Sequence, residues 1–141
     1  MKTNTLYFLT MFLLAGILLG ACSGGTSASL TGTWKLVSYG SPDDLIPAAA
    51  DVDTSVVFGE DGTISGNVGC NSFGGDYKVD GDKITFGTIS STLMMCADTA
   101  IGDQETAVLS TLTETVTFVF DGDMLTITSA DGSSVIVLAR K

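Results

Sequence analysis

Two stretches of this 141-residue chain hold the residue types best suited to chemistry: GNVGCNSFGGDY at 66–77 and STLMMCAD at 91–98. Cys70 and Cys96 offer sulfur, Asn71 an amide, Tyr77 a phenol and Glu105, further on, a carboxylate. A nucleophilic cysteine needs its pKa lowered by a base, a cation or a helix N-terminus. The chain has no histidine and only six Lys and Arg residues, so a helix beginning after Cys96 is the one device left for that purpose. The lack of histidine also removes the commonest general base and zinc ligand. Glu105, Asn71 and Tyr77 form the one trio worth testing as an acid–base site. Against it stands a structural reading, in which Cys70 and Cys96 pair as the disulfide expected of an exported domain. Closing that loop of about 27 residues stabilises a fold by roughly 3–4 kcal/mol on the chain-entropy model. Two buried free thiols and a reactive thiol are the alternatives.

The other motifs favour structure as well. Gly66, Gly69, Gly74 and Gly75 suit bulges and close backbone approach where a sheet turns a corner. The stretch lacks the lysine and the glycine spacing of a phosphate-binding loop. Asp80/Asp82 and Asp121/Asp123 flank glycines, but the order of ligands in a calcium-binding EF-hand loop is missing, so these are read as solvated turn carboxylates. Met94 and Met95 beside Cys96 are soft enough for copper(I), yet packing into the core is the expectation, with one of the pair inward. No catalytic residue, metal or cofactor is expected.

The elements that position these residues follow from pattern. Lys2 precedes the apolar run LYFLTMFLLAGILLGA (6–21), which reads as a secretory signal, and the run is shorter than the roughly 20 residues of a transmembrane helix. LLGAC at 18–22 resembles the bacterial lipobox, which implies cleavage before Cys22 and acylation of its sulfur. Two or three acyl chains give stable anchoring where one gives marginal binding. SGGTSAS (23–29) is then a flexible tether, reaching on the order of 15 Å as a coil. Ser23, rather than Asp, favours the outer membrane of a two-membrane host. The expected division is 1–21 signal, 22–29 acylated cysteine and tether, 30–141 domain.

Without Lys2 the mature chain keeps five basic residues against sixteen acidic ones, which argues against nucleic acid and against anionic headgroups as electrostatic partners. From residue 32 on, short apolar runs alternate with Asp-Gly at 61–62, 80–81, 121–122 and 131–132, a strong hairpin signal that points to type I′ turns. The expected fold is mostly β (α+β): an antiparallel meander of about eight strands curled into a barrel-like sheet. One helix at about 98–113 breaks the pattern, with Ile101, Val108, Leu109 and Leu112 on one face. Asp98 is placed to cap it, and Asp103 and Glu105 sit early, where the dipole favours anions. The segment 40–54 carries both prolines and reads as a long loop over one end of the sheet.

Taken together, LTGTWKLVS, ISGNVGCNSFGGDY and STLMMCA followed by a helix resemble the META domain, found in HslJ-like heat-shock lipoproteins. The matching positions are Trp34; Gly69, Cys70 and Asn71; Gly75 and Tyr77; Thr92, Met94 and Cys96; and Glu105 with Leu109 and Leu112. The resemblance implies a compact β-rich domain with one helix and no established enzyme activity. It also implies links to envelope stress and antibiotic tolerance. The expected function is a monomeric, lipid-anchored binding or interaction module with an envelope protein partner. The alternative is a lipocalin-like carrier of a small apolar ligand. Replacing Cys22→Ser is expected to move the protein from the membrane to the soluble fraction on cell fractionation, and persistence in the membrane would refute the anchor.

Overall fold

The computed structural model describes residues 29–141. The signal segment, Cys22 and the tether up to residue 28 lie outside the described residues. Among the described residues, ten strands and one helix follow in order: β1 (Gly32–Ser41), β2 (Asp44–Pro47), β3 (Ser55–Phe58), β4 (Thr63–Asn67), β5 (Ser72–Asp80), β6 (Lys83–Phe86), β7 (Ser90–Ser91), α1 (Thr99–Thr111), β8 (Thr115–Asp121), β9 (Met124–Thr128) and β10 (Val135–Arg140). All pairings are antiparallel, and β10 pairs back with β1, so eight strands close into a barrel in the order β1-β3-β4-β5-β6-β8-β9-β10. The eight expected strands are therefore present. The additions are two short ones, β2 on β1 and β7 on β5. β2 falls inside the segment read as a loop, because β1 runs on past its pairing with β3 and turns back on itself at Ser41–Asp44.

Strand alternation fills the interior. Val56 and Phe58, Ile84 and Phe86, and Leu125 and Ile127 point inward at every second position, as the period-2 pleat requires. Trp34 and Phe58 are fully buried; Trp34 stacks on Phe120 and Phe58 meets Tyr77 edge-on. The Trp34 indole N–H donates to Leu30 O, and the Arg140 guanidinium lies 3.9 Å from the centre of its ring. Arg140 also donates to Thr31 O and Ser29 O, tying the first described residues to the last strand. At Val37 the β1–β10 register slips by a bulge, and the buried Thr54 hydroxyl accepts from Leu36 N there.

The Asp-Gly turns differ from expectation. Among the described residues no residue but glycine has positive φ, so none of the turns is type I′. In β5–β6 and β8–β9 the aspartate is the last strand residue, and Gly81 (φ +61°) or Gly122 (φ +59°) is the first central residue of a two-residue loop. That placement belongs to type II′. In β3–β4 and β9–β10 the glycine instead follows a turn closed by Gly62 N→Gly59 O or Gly132 N→Ser129 O. α1 is capped by Asp98, whose carboxylate accepts from Ala100 N. Its first turn carries no acidic residue: Asp103 and Glu105, expected early in the helix, fall in the second turn because the helix begins at Thr99. No helix among the described residues is long and apolar enough to cross a membrane.

In the β9–β10 turn, the Asp131 carboxylate accepts from Ser129 Oγ and from Ser133 N and Oγ. These bonds favour the charged form and pull its pKa from 3.8 down to about 2. A lowered carboxyl pKa contributes stability above the unfolded value, and that contribution is lost as pH falls through the folded one. The Asp131 carboxyl resonance is thus expected to titrate near pH 2, with the Ser133 amide losing hydrogen-exchange protection over the same range. Titration at the ordinary carboxyl value of 3.8 would contradict the turn geometry.

Candidate functional site

The end of the barrel that α1 covers gathers most of the residues picked out by type and spacing. The corner between β4 and β5 carries Gly69, Cys70 and Asn71, and the strap between β7 and α1 carries Thr92, Met94 and Cys96. Cys70 and Cys96 form a disulfide across 26 residues, with Cα atoms 5.6 Å apart, so the pairing read from the sequence holds and neither sulfur is free. Asn71 is the hub. Its main-chain N–H donates to Glu105 Oε2 at 2.7 Å, and its Nδ2 donates to Glu105 Oε1 at 2.7 Å and to Met94 O at 3.0 Å. Its Oδ1 accepts from Met94 N at 2.7 Å and from the Thr92 hydroxyl at 2.8 Å. Every polar position of the side chain is used, and three segments distant in sequence are joined.

Glu105 is 9 % exposed and Asn71 4 %. Among the described residues the carboxylate faces no cation, and it is satisfied by the two Asn71 N–H groups, bonds that rank among the stronger ones in proteins. Gly69 allows the approach: a Cβ there would lie 2.6 Å from both Cβ and Oε2 of Glu105. Gly75 plays the same part on β5, where a Cβ would fall 2.6 Å from Thr88 O. Immediately before Glu105 on α1, Gln104, 1 % exposed, repeats the device, donating to Val68 O and accepting from Ala49 N. Gln104 was missed from sequence, although it sits four residues before Val108 on the buried helix face.

The enzymatic trio is not assembled. Tyr77 donates its hydroxyl to Gly59 O in the β3–β4 turn, at the opposite end of β4 from the corner that holds Asn71. The sulfurs of Cys70 and Cys96 and a carboxylate oxygen of Glu105 lie within 4.8 Å of one another, but a disulfide offers no thiolate to a metal.

What the junction exposes is the strap itself. Leu93 is 94 % exposed, Met94 63 % and Met95 96 %, which corrects the expectation that the methionines pack in the core. The segment is not a strand, and its main chain is fixed by Asn71 and Cys96, leaving these side chains outside the barrel. Beside them runs an open groove of about 470 Å³, lined by Met94, Met95, Thr106 and Leu109.

The family model of the META domain matches residues 28–141. The chain belongs to the META-domain family. In this META domain the motif residues resolve into a joint: disulfide, Asn71 hub, Gly69 and Glu105 contact, with Trp34 in the core. Comparison with curated proteins finds no match. Among solved structures, the fold is similar to a protein from Burkholderia xenovorans determined by NMR, at 22 % identity and TM-score 0.64, over 77 % of this chain and 81 % of that one. It is also similar to a DUF4847 family protein from Bacteroides vulgatus, at 15 % identity and TM-score 0.55, over 79 % and 93 %. These likenesses concern the fold alone. A META domain on a filled barrel fits a non-enzymatic binding module.

Removing the hub leaves buried donors and acceptors unpaired, at about 1–3 kcal/mol for each such group. Asn71→Ala is expected to destabilise by about 3 kcal/mol in denaturant unfolding, given those unpaired groups. Asn71→Asp should cost more, because it sets a second carboxylate against Glu105. A loss under about 0.5 kcal/mol, the range of ordinary surface changes, would contradict the hub.

Proposed function

We propose that this META domain is a lipid-anchored interaction module of the bacterial cell envelope, without enzymatic chemistry of its own, and that the strap at residues 92–96 docks a protein partner. The observation that carries the reading is the exposed Leu93, Met94 and Met95 on a main chain held by Asn71 and the disulfide. Apolar side chains clustered in the open mark interaction sites on soluble domains, and methionine surfaces adapt to partners. A rigid frame lowers the ordering cost of docking.

Topology favours a protein over the bilayer as the partner. Gly32 pairs with Phe58 beside the β3–β4 turn, whereas Asn71 and α1 lie at the other end of β4. A tether ending at Ser29 therefore joins the barrel at the end opposite the strap, which would point the strap away from the membrane surface. With sixteen acidic residues against five basic ones beyond Lys2, the complementary face is an apolar pocket with a basic rim. The expected links to envelope stress and antibiotic tolerance belong to this proposal and rest on the family. The carrier reading needs interior volume, but the barrel lumen is occupied by Trp34, Phe58, Ile84, Leu125 and Ile127.

A photoreactive residue placed at position 93 of the membrane-anchored protein is expected to capture one identifiable envelope protein. Met94→Ser with Met95→Ser should cut that capture more than about tenfold, the loss of roughly 1.4 kcal/mol of binding. The same label at Glu60, in the β3–β4 turn, should not capture it. Lipid adducts from position 93, or equal capture from position 60, would refute the docking assignment.

A further inference from the structure

We propose that Met94 and Met95 are a reversible oxidation site, at which peroxide converts thioether to sulfoxide and thereby turns the strap from apolar to polar. The regulatory half of this inference rests on the docking reading above; the chemical half does not. Cys70 and Cys96 are already joined, so the exposed sulfurs open to a two-electron oxidant among the described residues are the thioethers of Met94 and Met95. Met124, the remaining described methionine, is half-buried at the start of β9.

The frame keeps both sulfurs accessible. Met94 is pinned through its own N–H and C=O to Asn71, and residue 96 is pinned by the disulfide. Met95, between them, is 96 % exposed, on a main chain held at both of its neighbours. The Met94 bonds run through the backbone and the disulfide is fully oxidised, so oxidising the thioethers leaves the joint intact while changing the surface it displays. A patch held by one disulfide and one asparagine, but faced with two thioethers, separates a redox-stable frame from a redox-labile face.

The step balances. The thioether sulfur attacks one oxygen of hydrogen peroxide, the O–O bond breaks, that oxygen stays on sulfur, and the departing hydroxide takes a proton to leave as water. Sulfur loses two electrons and peroxide gains them. A reductase of the methionine sulfoxide class restores the thioether, with the oxygen leaving as water while a dithiol closes to a disulfide. A sulfoxide is polar and chiral and disrupts methionine-rich contacts, so the oxidised strap loses the partner that the reduced strap holds.

The test is a peroxide time course on the full-length anchored protein, followed by peptide mass spectrometry with Met124 as internal reference. Met94 and Met95 are expected to oxidise at least about tenfold faster than Met124, as exposure dictates. Capture from position 93 should fall in step, and return after treatment with methionine sulfoxide reductase and its dithiol but not with the dithiol alone. Oxidation of Met124 at the same rate overturns the site. Capture unchanged with both residues fully oxidised overturns the regulation. A chain that captures nothing before treatment overturns the docking reading and its regulation, while the three oxidation rates still support or overturn the site.

Discussion

A carboxylate enclosed at the end of the barrel, with no cation among the described residues to meet it, is the constraint around which the rest of this domain is arranged. Glu105 must find N–H donors, and Asn71 supplies two. To bring them there the β4–β5 corner has to touch the helix, which requires Gly69. Once seated, the asparagine has one amide hydrogen and one carbonyl oxygen left, and the strap fills both through Met94 and Thr92. The disulfide then holds the same two segments covalently. Buried polar networks of this kind are costly when incomplete and specific when complete.

From that joint the division of the molecule follows. The barrel supplies a filled apolar core closed by the β1–β10 pairing, and Arg140 over Trp34 secures its far end. The helix end carries the polar connections, with Gln104 binding the 48–50 and 67–69 segments as Glu105 binds the corner. The side chains the joint leaves outside are Leu93, Met94 and Met95, and the functional reading rests on them. The joint thus works as a bracket, and the chemistry it offers is recognition.

Much of this was legible in the sequence. Period-2 alternation and the Asp-Gly pairs gave the eight barrel strands and their hairpins, and two cysteines in a domain read as exported gave the disulfide. The turn type was not legible, because Asp-Gly marks a turn without saying whether the aspartate ends the strand or enters the loop. β2 was hidden by Pro42 just before it and Pro47 at its end, and by being too short to show alternation. Gln104 had a usable signal, a polar residue on an apolar helix face. Met94 and Met95 misled for a physical reason: apolar residues next to a cysteine imply burial only where the backbone can turn them inward. Here the main-chain bonds to Asn71, a tertiary feature, decide that it does not.

The measurement that bears most directly on this account is native-state hydrogen exchange at the strap. The Met94 amide donates to Asn71 Oδ1, whereas the amides of Leu93 and Met95 make no hydrogen bond among the described residues. The account predicts a Met94 amide protected at least about a hundredfold more than its two neighbours, since exchange there requires the joint to open. Exchange of Met94 as fast as Leu93 and Met95 would contradict it, because the strap would then be a loose loop rather than a held surface.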